Sequence, residues 1–122
     1  MRTLTTHKVN PANDTLTITV LDEPGHGGAS HLYNIEGYED NMGPASTCIV
    51  FQNGPIAEFG VNGLTHEVLL AIVADRLRSF QQGPYACRHN ALALTAIEDA
   101  QNWLNRRTLE RMQRGVEGTH SN

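Results

Sequence analysis

The amino-acid sequence predicts an α+β fold, in which a small N-terminal antiparallel β-sheet precedes a C-terminal antiparallel two-helix hairpin. Apolar and polar residues alternate in the first half of the chain, and the period changes to that of amphipathic helices in the second half. No helix-forming segment separates the short strands, which excludes parallel crossovers. We therefore predict a β lobe over residues 1–61 and a helical hairpin over residues 62–122.

The β lobe is expected to contain four short strands. Strict alternation of apolar residues with threonine indicates the first strand, and Asn53-Gly54 indicates a tight hairpin between the last two. The strands are expected over residues 15–20, 31–35, 48–51 and 56–61. Residues 1–13 and 37–47 are polar and are expected to be irregular, and residues 22–30 are expected to form a turn-rich loop.

The two helices of the hairpin are indicated by apolar residues that recur every three or four positions. The first helix is expected over residues 65–82, with Asn62 or Thr65 as its N-cap, and the second over residues 85–114, ending at Gly115. One side of the first helix holds Leu69, Ile72, Val73, Arg76, Leu77 and Phe80. The expected buried stripe of the second helix holds Ala93, Ile97, Ala100 and Leu104, with Trp103 at its flank.

Arginines continue this second stripe toward the end of the helix. The same spacing leads to Arg107, Arg111 and Arg114. An anionic ligand is one explanation, because a buried unpaired guanidinium is costly and its forked donors suit phosphate. The other explanation is an exposed last turn, in which arginines pair with Glu110 and interact favourably with the helix dipole. The use of arginine and not lysine favours the ligand.

Charge and composition limit the class of protein. Of the nine basic residues in the 122-residue chain, eight are arginines, and the formal net charge is -4. An acidic chain is not expected to bind nucleic-acid polymers. The longest apolar run is too short for a membrane helix, and no signal peptide follows Met1. Cys48 and Cys87 are expected to be buried or incidental thiols in a reducing compartment, which predicts a cytoplasmic protein.

Two side chains of the hairpin have both a structural and a ligand-binding interpretation. Phe80 closes the first helix, where an aromatic ring is a core residue by default and a stacking platform for a base when partly exposed. Asn90 is a cap or a surface residue by default, and it is otherwise a contact to a base edge or a ribose hydroxyl.

The loop after the first strand has residue types that occur at metal centres. These are Asp22, Glu23, His26 and His31. They make a metal-dependent phosphodiesterase an alternative hypothesis, although no two histidines have the spacing of a helical zinc motif. A purely structural or interaction protein is the third hypothesis.

Four stretches of the chain occur together in a known family. They are Asp22-Glu23-Pro24-Gly25 with Gly28-Ala29-Ser30-His31-Leu32-Tyr33, Phe51-Gln52 with Gly54-Pro55-Ile56 and Gly60-Val61-Asn62-Gly63-Leu64-Thr65, Arg76-Leu77 with Phe80-Gln81, and Arg106-Arg107-Thr108 with Arg114-Gly115-Val116-Glu117-Gly118-Thr119. The chain resembles a phage Thoeris anti-defence protein of the first-described family, whose members sequester cyclic ADP-ribose isomers. Its hairpin and tail also resemble the shorter anti-CBASS sponges, which sequester cyclic dinucleotides and lack the sheet.

The resemblance implies a sponge with no catalytic residue, no cofactor and no metal. A bacterial TIR-domain enzyme makes a glycocyclic ADP-ribose signal from NAD, and the phage protein holds this signal uncleaved in the cytoplasm of the infected host. By motif position, the resemblance assigns the ligand contacts to Phe80, Asn90, Arg107, Arg111, His31 and Asp22. Phe80 stacks on adenine, Asn90 makes a polar contact, and the two arginines bind the diphosphate.

The resemblance also implies assembly. In this family the pocket lies between protomers, with the sheet lobe of one chain against the hairpin of another. Some members form hexamers built from dimers and also take cyclic di- or trinucleotides at separate sites. We therefore expect a homo-oligomer, dimer or hexamer, with a small-molecule ligand and with neither a nucleic-acid polymer nor a membrane as partner.

Overall fold

The computed structural model describes residues 1–115 and divides the chain into two compact units. The first unit is Met1–Gly63, and the second begins at Leu64. The sheet lies in the first unit and the helical hairpin in the second, so the predicted α+β class is confirmed. Residues 116–119, which belong to the tail of the family resemblance, lie outside the described residues.

The sheet is a four-stranded antiparallel meander in which the strands follow one another in chain order. The strands are β1 Arg2–Leu4, β2 Thr17–Val20, β3 Leu32–Asp40 and β4 Gly43–Val50. Val20 is fully buried in this unit. It pairs with Arg2 on one side and with Tyr33 on the other, which places the end of β2 at the centre of the sheet.

The prediction of an irregular connection over residues 37–47 is wrong, because β3 and β4 form one long hairpin through this segment. β3 passes Gly37 by a bulge, where the register shifts between Glu36 and Tyr38 and the glycine adopts a φ of 103°. Pro44 lies within β4, where a missing N–H is tolerated because β4 is an edge strand. Polar side chains in an edge hairpin hide the alternation that the prediction relied on.

The predicted strand over residues 56–61 is also wrong. These residues contain the short helix α2, Ile56–Phe59, which ends at Gly60 with a φ of 70°. Asn53 and Asn62 close the loop around it, since the Asn62 side chain accepts the N–H of Asn53 and donates to its carbonyl oxygen, each at 2.8 Å. Asn53 therefore anchors a loop and does not begin a two-residue hairpin.

Residues 1–14 hold two elements that were not predicted from the sequence. They are β1 and the short helix α1, Pro11–Asp14. Asn10 caps α1 by accepting the N–H of Asn13 at 2.9 Å, and Pro11 occupies the first helical position, which needs no donor. Elements of three or four residues contain too little periodicity for a pattern to reveal them.

The second unit is the predicted helical hairpin. Its helices are α3, His66–Gln81, and α4, Arg88–Gln113. Thr65 is the N-cap of α3 and accepts the N–H of Val68 at 3.3 Å. α4 begins three residues later than predicted, because the Gln81 side chain bonds both the N–H and the carbonyl of Cys87 and holds the turn open.

The helices meet along a seam that mixes apolar and polar side chains, of which Ala74 is fully buried. The seam positions of α3 are Leu70, Ala74, Leu77 and Gln81, and those of α4 are Asn90, Leu94, Ile97, Gln101, Leu104, Thr108 and Arg111. The predicted stripes are therefore partly wrong: Ile72 is 61% exposed and Ala93 is exposed. Periodicity gives the spacing of a buried face but not its exact rotation, which the small side chain of Ala74 decides.

Candidate ligand-binding site

An open groove runs along the outer face of α3, on the side away from the seam. Its volume is about 540 Å³. It is lined by Ile72, Asp75, Arg76, Ser79, Phe80, Gly83, Pro84 and Tyr85. The lining combines apolar side chains, one carboxylate, one guanidinium and two aromatic rings, which is the composition of a small-molecule site.

Phe80 is half-buried in this groove, and one face of its ring is stacked by a cation. The Cζ atom of Arg76 lies 5.1 Å from the centroid of the Phe80 ring, within the range of a cation–π contact. The ring thus already stacks on a planar guanidinium, and its role as a platform for a base stays a prediction. Tyr85, which also lines the groove, is 74% exposed. No pattern in the sequence indicated a role for Tyr85.

Asn90 lies at the same end of the hairpin as Phe80. It occupies the first turn of α4, where its N–H donates to the Cys87 sulfur at 3.4 Å. Its side chain is half-buried on the seam. Cys87 is a free thiol and is exposed, as is Cys48, so of the two alternatives expected for these thiols, buried or incidental, burial is wrong.

Arg107 and Arg111 lie near the opposite end of α4. At about 1.5 Å per residue, Arg107 is about 25 Å along the helix axis from Asn90. Arg107 is exposed, whereas Arg111 is only 9% exposed and is the one buried residue of α4. Within one chain, Asn90 is therefore too far from Arg107 and Arg111 for one small ligand to contact all three.

The end of α4 agrees with one part of the alternative explanation and not with another. Arg106 and Arg107 are exposed, as in a last turn that has left the core. Among residues 1–115, however, neither of them forms an ion pair with Glu110. Arg106 instead stacks on the indole of Trp103, with 5.5 Å between Cζ and the ring centroid.

Trp103 lies in the second half of α4, about one turn before Arg106 and Arg107, and is 67% exposed. The prediction that Trp103 flanks the buried stripe of α4 is therefore wrong. A second open groove of about 490 Å³ surrounds it on the outer face of α4.

Asp22 and His31 lie in the sheet unit, and Asp22 organises its loop. The Asp22 carboxylate accepts the N–H groups of His31 and Leu32, and its backbone carbonyl accepts the Ser30 hydroxyl, all at about 3.0 Å. Desolvation alone would raise the pKa of Asp22, but the Leu32 and His31 N–H groups and the His31 charge together lower it. His31 is 5% exposed, and its Nδ1 lies 3.1 Å from the Ala29 carbonyl oxygen.

The loop does not assemble the residues that a metal-dependent phosphodiesterase needs. Within the described part of the chain, no three His, Cys, Asp or Glu side chains are placed to hold one metal ion. His26, from the same loop, contacts the ring of Phe59 with 5.7 Å between centroids. Over the same described residues, no helix combines the length and hydropathy that crossing a bilayer requires.

The fold and the grooves define a small α+β protein whose helical hairpin carries an aromatic groove at one end and arginines at the other. The sequence profile of the Acb2/Tad1 hairpin domain family matches residues 44–109, more than half of the chain. The chain therefore belongs to this family. The matched segment includes Phe80, Asn90 and Arg107, and Arg111 lies two residues beyond it.

A phage relative extends the comparison into the sheet unit. Thoeris anti-defense 1 of Bacillus phage SBSphiJ7 is 45% identical over 96 residues, which are 79% of this chain and 65% of the phage protein. The chain thus aligns with a little under two thirds of that relative's length. The resemblance to a phage Thoeris anti-defence protein, stated from the four sequence stretches, is confirmed.

Proposed function

We propose that this protein is a phage anti-defence protein that binds a glycocyclic ADP-ribose signal in the cytoplasm of the infected host and holds it without cleavage, so that Thoeris immunity is blocked. The 45% identity to a protein named for Thoeris anti-defence supports the biological role. The cation-stacked Phe80 ring in an open groove is the observation that carries the ligand class. A base stacks on such a ring, and arginines are the best side chains for a diphosphate.

The separation along α4 supports a site shared between two chains. Two hairpins packed antiparallel about a two-fold axis would bring Arg107 of one chain toward Asn90 of the other, which removes the gap of about 25 Å. The same register would bring Leu92 near Trp103 of the partner subunit. Both side chains are exposed, at 53% and 67%. A homodimer of this form would thus bury apolar surface and complete two identical pockets.

The energetics agree with an enclosed site. Holding a signal at about 1 nM requires about -12 kcal/mol. Two charge-assisted phosphate contacts contribute about 1.5–3 kcal/mol each, and stacking on Phe80 about 1–3 kcal/mol. These contacts fall short by several kcal/mol, and preorganised walls from two chains would supply part of the remainder by excluding water.

One experiment separates the three hypotheses. The protein is incubated with cyclic ADP-ribose isomers and removed, and the bound material is released by denaturation and weighed by mass spectrometry. A sponge depletes the ligand and returns it intact. A cleaved product in the released fraction would instead establish a phosphodiesterase, and a protein that depletes no isomer would be a structural one.

A mixing experiment tests whether the site is shared. Phe80→Ala and Arg107→Ala are purified separately, mixed, unfolded and refolded together, and titrated with the ligand. In a shared site, half of the pockets of each mixed dimer are unaltered, so the mixture recovers binding that each variant alone lacks. Refolded wild type and refolded single variants are the controls. No recovery in a mixture that does form mixed dimers would place the whole site in one chain.

Binding of cyclic di- or trinucleotides at a second, separate site is a further part of the proposal. The same titration with 3′,5′-linked cyclic dinucleotides, carried out on protein already saturated with an ADP-ribose isomer, distinguishes a second site from competition for the first. Binding of both ligands together would support separate sites.

A further inference from the structure

The carboxylate of Asp75 lies in the groove of Phe80, and no part of the proposed stacking uses it. Asp75 lines the same cavity as Arg76, Ser79 and Phe80. Asp75 and Ser79 are four residues apart on α3, as are Arg76 and Phe80, and Arg76 and Ser79 are three apart, so these pairs are neighbours on the helix surface. Across residues 1–115, Asp75 forms neither an ion pair nor a side-chain hydrogen bond.

The charges of the groove indicate which part of a nucleotide fits it. The Arg76 guanidinium is placed over the Phe80 ring at 5.1 Å, and the nearby Arg78 is paired with Glu98 at 3.1 Å. A carboxylate beside a guanidinium that is stacked on a ring leaves the groove close to neutral. Such a groove offers a diphosphate no net attraction and accepts an uncharged ring.

A carboxylate also distinguishes one ring from another. An ionised carboxylate only accepts hydrogen bonds, so it suits a base edge that carries N–H donors and disfavours one that presents a carbonyl oxygen. Adenine presents an exocyclic amine at the position where hypoxanthine presents a carbonyl. Discrimination by a site built around a hydrogen bond is stronger than discrimination by size.

We infer that Asp75 is the base-specificity residue of the Phe80 groove and accepts a hydrogen bond from the exocyclic amine of an adenine that takes the place of Arg76 on the Phe80 ring, with the Arg76 guanidinium displaced to the outer face of the base. This inference rests on the proposed function. It gives the groove one task, recognition of the amino-purine, and leaves the diphosphate to the arginines at the other end of α4. Ser79 and the exposed Tyr85 form the remaining polar rim of the groove.

The test compares two ligands and two variants by calorimetric titration. The ligands are a glycocyclic ADP-ribose isomer and its hypoxanthine counterpart, in which a carbonyl oxygen replaces the exocyclic amine. We expect wild type to bind the adenine ligand at least about tenfold more tightly. Asp75→Asn, whose amide can donate to the carbonyl oxygen, is expected to bring the ratio of the two affinities close to one.

Asp99→Asn is the matched control. Asp99 is exposed on α4, lines the other groove, and its change to asparagine removes the same charge. It should leave the affinity ratio at its wild-type value, and circular dichroism of both variants checks that the helices are intact. The ratio, unlike the affinity, is not moved by a loss of stability.

The outcomes separate this inference from the proposed function. Wild type that binds both ligands equally, or an Asp75→Asn variant that keeps the wild-type ratio, overturns the role of Asp75 and leaves the sponge in place. Wild type that binds neither ligand overturns both.

Discussion

Both carboxylate oxygens of Asp22 accept the backbone N–H of His31, at 3.0 and 2.9 Å. One of them also accepts the N–H of Leu32 at 3.0 Å. Together with the Ser30 hydroxyl, which donates to the Asp22 carbonyl, these bonds tie the start of β3 to the end of β2 across the loop. The Asp22 side chain therefore has a structural task, whether or not it also faces a ligand.

This relationship predicts a pH-dependent stability. The lowered pKa of Asp22 stabilises the folded state above the pKa of an unfolded aspartate, about 3.9, and this contribution is lost as the pH falls through the lower pKa of the folded protein. Asp22→Asn should therefore lower the melting temperature at about pH 7 and should converge with wild type at an acidic pH below the lowered pKa of the folded protein. Thermal unfolding followed by circular dichroism measures both.

Asp14→Asn is the control, because the Asp14 side chain is exposed and makes no hydrogen bond among the described residues. It should leave the melting temperature unchanged at both pH values. A difference between Asp22→Asn and wild type that is the same at both pH values would contradict the assignment.

The bulge in β3 predicts a strong penalty for a side chain at Gly37. A Cβ atom there would lie 1.8 Å from the Thr15 carbonyl oxygen, on a backbone with a φ of 103°. Gly43 has a similar φ of 108°, but a Cβ atom added there would have no atom within 4 Å. Gly43→Ala should therefore cost about 1–3 kcal/mol of unfolding free energy from strain alone, and Gly37→Ala clearly more. Urea denaturation measures the unfolding free energy of both variants. Equal losses in the two variants would mean that β3 moves away from Thr15.

Close packing at the hairpin seam predicts that Ala74 cannot be enlarged. Ala74 is fully buried, whereas Ala71, on the same helix, is exposed. Ala74→Leu should lower the free energy of unfolding by about 1–3 kcal/mol, because the added atoms force the helices apart. Ala71→Leu should change it by less than about 0.5 kcal/mol. If the two variants are equally stable in urea, the seam does not run through Ala74.

The proposed site predicts separate losses of affinity at the two ends of the hairpin. Phe80→Ala removes the stacking ring and Arg107→Ala a phosphate ligand, and each should weaken binding of a glycocyclic ADP-ribose isomer by about 2 kcal/mol or more. Arg114→Ala removes the same charge from the end of α4 and should retain most of the affinity. Calorimetry measures the three constants. Wild-type affinity in both Phe80→Ala and Arg107→Ala would place the pocket elsewhere.

The prediction from sequence is most accurate where one signal is strong and local. Thr65, one of the two N-cap candidates with Asn62, caps α3, since it directly precedes the apolar period of the helix. It fails where a residue's meaning depends on distant partners. Asn53-Gly54 has the composition of a hairpin turn, yet Asn53 bonds to Asn62 and the chain forms α2. Pro44 and Gly37 suggest a loop, yet both fit an edge hairpin.

The candidate site divides in the same way. The resemblance assigned Phe80 and Arg107 from motif position alone, but helix geometry separates the arginine from Asn90 by about 25 Å, which no motif encodes. Asp75 and Tyr85 were missed, because a single acid on a helix and a single tyrosine in a turn have no pattern. Only the groove that they share with Phe80 gives them a common role.

At the outset the sequence established eight arginines in an acidic chain, the α+β class and the family resemblance, because composition, period and motif order are properties of the chain itself. The tertiary structure decided which of those arginines are exposed and which are engaged. Arg107 is exposed, Arg111 is buried, Arg76 stacks on Phe80 and Arg78 pairs with Glu98. The physical reason is that period fixes spacing along a helix, whereas the rotation of each helix is set by the close packing around Ala74.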